Sequence, residues 1–411
     1  MGLNRWAWAG ATAAAAVTGW AMLSRPVDAR LSDLHVYLGA ASAPSLYDFI
    51  RGNAPFTYPP FAALLFRPLT ALPLPAVQIF WTLATIATVA AIAILTTRRS
   101  HRLPDLPDLS RLSGLPSLSR LSGLPSLSGL SGLSGLSGWL ALALMLSAPF
   151  SSNMRFGQVS IFLAALALTD LLILRNTRYC GVLIGLTAAI KLTPLIFIPL
   201  LFLAARRRAS LVAAGTFAAC TTVAAIALPH DSLRYWTTEI FQVSRLGNIT
   251  SAGNQSLNGM LLRLSVPETP RILLTLTIGG AVAALALWRA ARAARANDWL
   301  TATVITGAAA VVLSPVSWTH HQIWLILAVL LPLPTRRAQT TWTAVVLIAM
   351  LLPITAVDHP LWTNARLFLA VAIAAVIPFR TTSTEQRVPQ AGNALNRTPP
   401  LAPDPKAHTH T

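Results

Sequence analysis

"GVLIGLTAAIKLTPLIFIPLLFLA", Gly181 to Ala204, decides how this chain is folded. It is a hydrocarbon run interrupted by Lys191 and Pro194. About 20 apolar residues suffice to cross a bilayer as a helix, so one crossing would fit the length. The flanks argue against that reading. Arg178 precedes the run and Arg206, Arg207 and Arg208 follow it, and basic residues gather on the cytoplasmic side of a membrane. A single crossing would leave one cluster outside. Two short helices broken at Lys191–Pro194 return the chain to the side it came from. Proline removes a helix hydrogen bond and clashes with the preceding turn. Unwound backbone at depth is tolerated only where it lines a cavity or is buried in protein, so Lys191 is expected to face a cavity towards the outside.

The rest of the sequence extends this pattern. Of 411 residues, 54% are hydrophobic and 11% charged, with a mean hydropathy of +0.60. Apolar runs stand at about 6–24, 77–97, 139–152, 157–174, 181–190, 194–204, 211–229, 272–289, 299–316, 322–334, 340–356 and 366–380. The fold expected is an all-α polytopic membrane protein of about 10–12 transmembrane helices. The first run reads as a retained anchor rather than a cleaved signal, because the polar motif at 31–41 follows it so closely. Five prolines break 57–76 into an interfacial or re-entrant stretch. The net charge of +18 sits in short clusters between apolar runs, so it signals topology rather than nucleic acid. Both termini and the clusters at Arg98/Arg99, Arg175/Arg178, Arg206–Arg208, Arg289–Arg295 and Arg336/Arg337 are then expected in the cytoplasm.

One domain spans 1–380. Within it, 100–138 is a low-complexity Leu-Ser-Gly loop in which "RLSGLPSLS" occurs twice in tandem. Repeats this short do not form a solenoid and read as a flexible linker. A disordered cytoplasmic tail, 381–411, is rich in Pro, Thr and Asn. Cys180 and Cys220 both lie in apolar surroundings, which supports neither a disulfide framework nor a metal site.

On this topology the polar motifs meet on the outer face: "SDLHVY", "FTYPPF", "NMRFGQ", "GNQSLNG" and "SPVSWTHH". Each residue has two readings. Asp33 is a helix-capping acid or a reactive carboxylate. His35 and Tyr37 beside it are interfacial polar tips or substrate contacts. Tyr58, before two prolines, belongs to a stiff elbow or to a wall that orients a sugar or lipid. Arg155 snorkels to the interface or binds an anion, with Gln158 close by. Lys191 is harder to dismiss, because a cation at a helix break in hydrocarbon needs an anion or water. Asn254 and Gln255 bond sugar hydroxyls or are ordinary loop polarity. Trp318, His320 and His321 follow the break at Pro315 on the polar side, which favours function over a satisfied core histidine. Zinc-type spacing is missing, so no metal is expected.

Taken in order, "DLHVY", "YPPF", "N-x-R-x-GQ", "K-x-TP", "NQS" and "SP-x-SW-x-HH" resemble glycosyltransferase family 87 over roughly 31–380. These are GT-C membrane mannosyltransferases that use polyprenyl-phosphate-mannose. The resemblance is strongest to the actinobacterial α-(1→2) enzymes of phosphatidylinositol mannoside and lipomannan synthesis. It implies an inverting transferase of the plasma membrane with an extracytoplasmic active site and a glycolipid acceptor. Asp33 then becomes the general base, His320 and His321 catalytic, and Lys191 and Arg155 binders of the donor phosphate. His35, Tyr37, Tyr58, Gln158, Asn254, Gln255 and Trp318 become substrate contacts, with no cofactor beyond the lipid-linked donor. The chemistry is compatible on its own terms. A phosphate leaving group needs no protein acid, and inversion needs one carboxylate. A Mg²⁺-dependent nucleotide-sugar enzyme would instead carry a cytoplasmic domain with a DxD motif, and the sequence has none. Three rival readings remain: a GT-C arabinosyl- or other hexosyltransferase, a secondary transporter, which would show repeat symmetry, and a non-enzymatic interaction protein.

Overall fold

A computed structural model describes residues 2–100 and 136–379. Most of the Leu-Ser-Gly stretch and all of the tail 381–411 lie outside the described residues. The described chain is all-α except for one short antiparallel hairpin, Ile50–Arg51 with Ala54–Pro55. Among the described residues, three helices are long and apolar enough to cross a membrane. These are Leu74–Arg99, Arg207–Ala227 and Glu268–Arg295, of 26, 21 and 28 residues. At 1.5 Å per residue they measure about 39, 32 and 42 Å. Shorter apolar helices of 10–17 residues accompany them, among them Ser160–Leu172 and Trp299–Leu313.

The stretch that decides the topology is broken as its sequence requires. Helix Val182–Ile190 ends, Lys191 is extended (φ −150°, ψ 132°), a 3-10 turn covers Thr193–Ile196, and a second helix runs Phe197–Leu203. The first arm lies along the start of helix Arg207–Ala227. A Cβ on Gly181 would meet the Ala209 carbonyl oxygen at 2.2 Å, and one on Gly185 the Ala213 oxygen at 2.3 Å. Only glycine permits so close an approach of two backbones. The second arm brings the chain back beside its entry, where Arg206 Nη2 is 3.3 Å from Asn176 Oδ1.

The arginines that precede and follow the apolar runs gather at this end. The Arg206 guanidinium stands 5.7 Å over the Trp299 ring, Arg295 donates to the Leu203 carbonyl, and Arg175 feels the charges of Arg99 and Arg206. Lys191 sits one nine-residue helix away, about 14 Å at 1.5 Å per residue. The Lys191 break therefore lies one helix length from the arginine-rich end.

Packing fixes the remaining elements. Helix Trp299–Leu313 is buried at every position from Trp299 to Val312, the signature of a helix in the middle of the protein. Gly307 lets the Trp324 side chain press onto it, since a Cβ there would lie 2.3 Å from Trp324 Cγ. The first helix, Gly2–Leu23, buries Ala7, Ala11, Ala15 and Gly19 and packs against Ser137–Leu146. Small residues four apart are how membrane helices approach closely. Trp6 and Trp20, near its two ends, are 76% and 77% exposed.

Some boundaries differ from the sequence reading. The run 139–152 is two helices, Ser137–Leu146 and Ala148–Phe156, because the Ser147 hydroxyl accepts from Phe150 N (3.5 Å) and starts a new helix with Pro149 in its first turn. Pro60 likewise opens helix Pro60–Phe66, a position where its missing N–H is no loss. The run 322–334 is helical only to Leu330.

Candidate active site

Asp33 lies in the first turn of helix Ser32–Ser42, after Leu31 in a left-handed conformation (φ 45°). Gly157, also left-handed (φ 69°), ends helix Ala148–Phe156 directly against it. A Cβ on Gly157 would stand 2.8 Å from Leu31 Cβ and 3.0 Å from Leu34 Cβ. That approach delivers Gln158 to Asp33. Gln158 Nε2 donates to Asp33 Oδ2, and Ser32 Oγ donates to Oδ1 at 3.1 Å. Asp33 is thus held by side chains and caps no helix. Burial pushes its carboxyl above the ordinary carboxylate range, and Ser32, Gln158 and the charge of Lys191 pull the other way.

From Asp33 a hydrogen-bonded chain runs inward. Tyr58 Oη donates to Gln158 Oε1 (2.8 Å) and accepts from Lys191 Nζ (3.1 Å). It lies 3.0 Å from Tyr37 Oη. Lys191 Nζ also stands 2.7 Å from His321 Nε2 and 4.9 Å from the Tyr58 ring centre. Donation runs in one direction, from cation to carboxylate, which polarises each bond in turn. Among the described residues Lys191 forms no ion pair.

The histidines differ. An ammonium at Lys191 would require His321 Nε2 to accept, which would place the ring proton on Nδ1. A neutral Lys191 would allow the other tautomer, with Nδ1 accepting from Trp318 N at 3.2 Å. The charge of Lys191 therefore selects the tautomer. His320 is buried, its Nδ1 3.3 Å from Ser152 Oγ. Its ring stands edge-on to His321 at 4.5 Å, and its Nε2 has no partner among the described atoms.

The loop carrying the histidines is clamped by "NQSLN". Asn254 Oδ1 accepts from Ser317 N (2.9 Å) and from Ser256 Oγ (2.9 Å). Gln255 N donates to Ser317 O (2.8 Å). Ser256 Oγ and Asn258 Nδ2 donate to Pro315 O at 3.1 and 3.0 Å. Gln255's side chain donates to Ala252 O and Thr363 O and accepts from Leu367 N. Both Asn254 and Gln255 are fully buried, so their amides brace backbone rather than face a sugar. Asn254→Ala would leave the buried Ser317 N–H unpaired, which costs about 1–3 kcal/mol. A clear drop in melting temperature of the purified protein is expected, with activity lost in parallel as the loop loosens.

Asp33, Tyr37, Tyr58, Gln158, Lys191, Trp318, His320 and His321 all line one cavity of about 930 Å³. Four sequence candidates do not. His35 points away, its Nε2 donating to the Val27 carbonyl (3.2 Å) and its Nδ1 accepting from Arg51. Arg155 is exposed, its guanidinium 5.3 Å over Phe156. Asn254 and Gln255 stand behind the wall. The structure also adds residues that the sequence did not single out. Glu239 is a second lining carboxylate, held by Arg234 Nε (2.8 Å) and by Arg245. Arg245 Nη2 continues to Tyr47 O (2.7 Å), and Arg234 to Asp48 (2.5 Å). No local motif announces this network, because its partners come from loops far apart in sequence. With Glu239 doubly paired, Asp33 is the lining carboxylate free of an ion pair.

Comparison with known proteins places this geometry in context. Residues 56–315 match the model of glycosyltransferase family 87. That span takes in Tyr58, Gln158 and Lys191 and stops short of Asp33 at one end and the histidines at the other. A polyprenol-phosphate-mannose-dependent alpha-(1-2)-phosphatidylinositol mannoside mannosyltransferase of Mycobacterium tuberculosis is 30% identical over 283 residues, 68% of this chain and 62% of that protein. The protein of the same description from Mycolicibacterium smegmatis is 32% identical over 339 residues, 78% of this chain and 72% of its own length. A polyprenol-phosphate-mannose-dependent alpha-(1-2)-phosphatidylinositol pentamannoside mannosyltransferase of M. smegmatis is 32% identical over 317 residues, covering 73% and 69%. The match to the first of these spans less than two thirds of that relative's length. No solved structure matches the chain significantly. With well over half its length matched, this all-α membrane protein belongs to glycosyltransferase family 87.

Proposed function

We propose that the protein transfers mannose from polyprenyl-phosphate-mannose to a mannosylated phosphatidylinositol or lipomannan-type glycolipid, forming an α-(1→2) bond with inversion. The family and the descriptions of its relatives support the sugar and the donor. The observation that carries the mechanism is the unpaired carboxylate of Asp33, joined through Gln158 and Tyr58 to Lys191 in one cavity wall.

In this reading Asp33 takes the proton of the acceptor hydroxyl as its oxygen attacks the anomeric carbon. The bond to phosphate breaks on the opposite face, and its electron pair leaves with the phosphate oxygen. Lys191 meets the charge that grows there, its ammonium held by His321 Nε2. His320, with a free Nε2, supplies a further polar contact, and Tyr37, Tyr58 and Trp318 form the wall of the sugar site. Arg155 has no part in the scheme. The leaving group is already a good one, so the step is proposed to proceed without a metal or other cofactor. At about 930 Å³ the cavity stands at the large end of ligand sites, enough for two glycolipid head groups to meet.

The cavity is proposed to open outward and the arginine-rich end to face the cytoplasm, following the positive-inside rule. Arg178→Cys, at the exposed arginine end, tests this in a background with Cys180 and Cys220 replaced by serine. Impermeant maleimide should label it only after the cells are permeabilised, and labelling of intact cells would reverse the orientation. The acceptor is tested by deleting the gene and analysing the envelope lipids. One phosphatidylinositol mannoside or lipomannan precursor should accumulate and disappear on complementation. An unchanged lipid profile would remove this acceptor class.

A further inference from the structure

Behind Lys191 and His321 lies a side chamber of about 50 Å³. It shares Lys191, Thr193, Ala310 and His321 with the main cavity. Ser160 and Ser317 also line it, and both are buried, at 8% and 0% exposure. Neither hydroxyl has a partner among the described protein atoms, although buried polar groups are almost always hydrogen-bonded. Asn254 and Gln255 hold the Ser317 backbone N–H and carbonyl, which fixes the residue at the chamber wall. An ammonium has three protons to donate. Tyr58 and His321 take two of those on Lys191, and the third remains available. A water needs about 10–15 Å³ of such space and two to four polar partners.

We propose that this chamber holds a cluster of about three ordered waters, anchored by Ser160 and Ser317, that hydrates the Lys191 ammonium from behind the site. A lysine at this depth needs water or an anion to stay charged. The waters supply that need before a donor phosphate arrives. The inference rests on the phosphate role of Lys191 proposed above only for its purpose, since its test needs no substrate.

The chain contains two lysines, Lys191 and Lys406. With Lys406→Arg, full-length protein labelled with [¹³Cε]lysine in nanodiscs gives one lysine signal, whose shift reports the charge of Lys191. The titratable groups facing it, Asp33, Tyr58, His320 and His321, stay unchanged in every variant. Ser317→Val and Ser317→Thr have the same shape and differ in the hydroxyl. If the hydroxyl anchors water, the valine variant should lose the Lys191 proton about one pH unit or more below the threonine variant, a tenfold change in the proton equilibrium. The threonine variant should titrate like the parent. The pair Ser160→Val and Ser160→Thr repeats the comparison should a Ser317 variant fail to fold. Equal titration within each pair would overturn the proposal, because a packing role treats valine and threonine alike. So would a high-resolution map with a halide or no ordered density in the chamber.

Discussion

Asp33→Asn is expected to lower mannosyl transfer by about 10²–10⁴-fold, the range of general base contributions, while donor affinity stays near wild type. Asparagine keeps the size; its oxygen accepts from Gln158 Nε2 and its amide donates to Ser32 Oγ, whose hydroxyl turns to accept, so the wall remains intact and proton acceptance is lost. Glu239 cannot substitute, since two arginines already hold it. The wild-type rate should also report Asp33 through pH. Its carboxyl is raised by burial, and the base works only when ionised. Activity is therefore full above that raised value and falls as pH drops through it, giving an acid limb displaced upward from an ordinary carboxylate. Single-turnover rates with separately measured donor binding check both points. Retention of more than about a tenth of wild-type activity in Asp33→Asn would remove it as the base.

Lys191→Ala should reduce the rate about 10²–10³-fold, as removal of one preorganised stabiliser of developing charge does elsewhere. Unlike Asp33→Asn, it should also weaken donor binding, because the phosphate is negative in the ground state and gains charge in the transition state. Removing a buried cation without a carboxylate partner does not leave an unpaired charge behind, so the melting temperature should hold or rise. This separates the result from simple unfolding. Donor binding by Lys191→Ala in nanodiscs, beside its rate and melting curve, tests the assignment. Unchanged donor affinity would place the phosphate elsewhere.

The sequence carried the elements whose physics is local. The Lys191–Pro194 break was legible because charge, proline and two arginine flanks admit one return path, and the chain takes it. The cluster of Asp33, Tyr58, Gln158, Lys191 and His321 was legible as motifs on one face, but their order along a hydrogen-bonded chain depends on helix approach at Gly157 and so was not. The places of Asn254, Gln255 and His35 behind the cavity wall were not legible, for a shared reason. A polar side chain in a loop reads the same in sequence whether it braces backbone or meets substrate, and here each is taken up by protein partners. Ser160 and Ser317 are ordinary serines until a cavity gives them a common destination.

Purified protein in nanodiscs, supplied with polyprenyl-phosphate-β-mannose and a phosphatidylinositol mannoside in the presence of EDTA, tests the central claim most directly. The account predicts one new α-(1→2)-linked mannose and one free polyprenyl phosphate per turnover, with the same assay silent for Asp33→Asn. Absence of transfer by folded wild-type protein, a β-linked product, or transfer that returns only when Mg²⁺ or Mn²⁺ is added would contradict it.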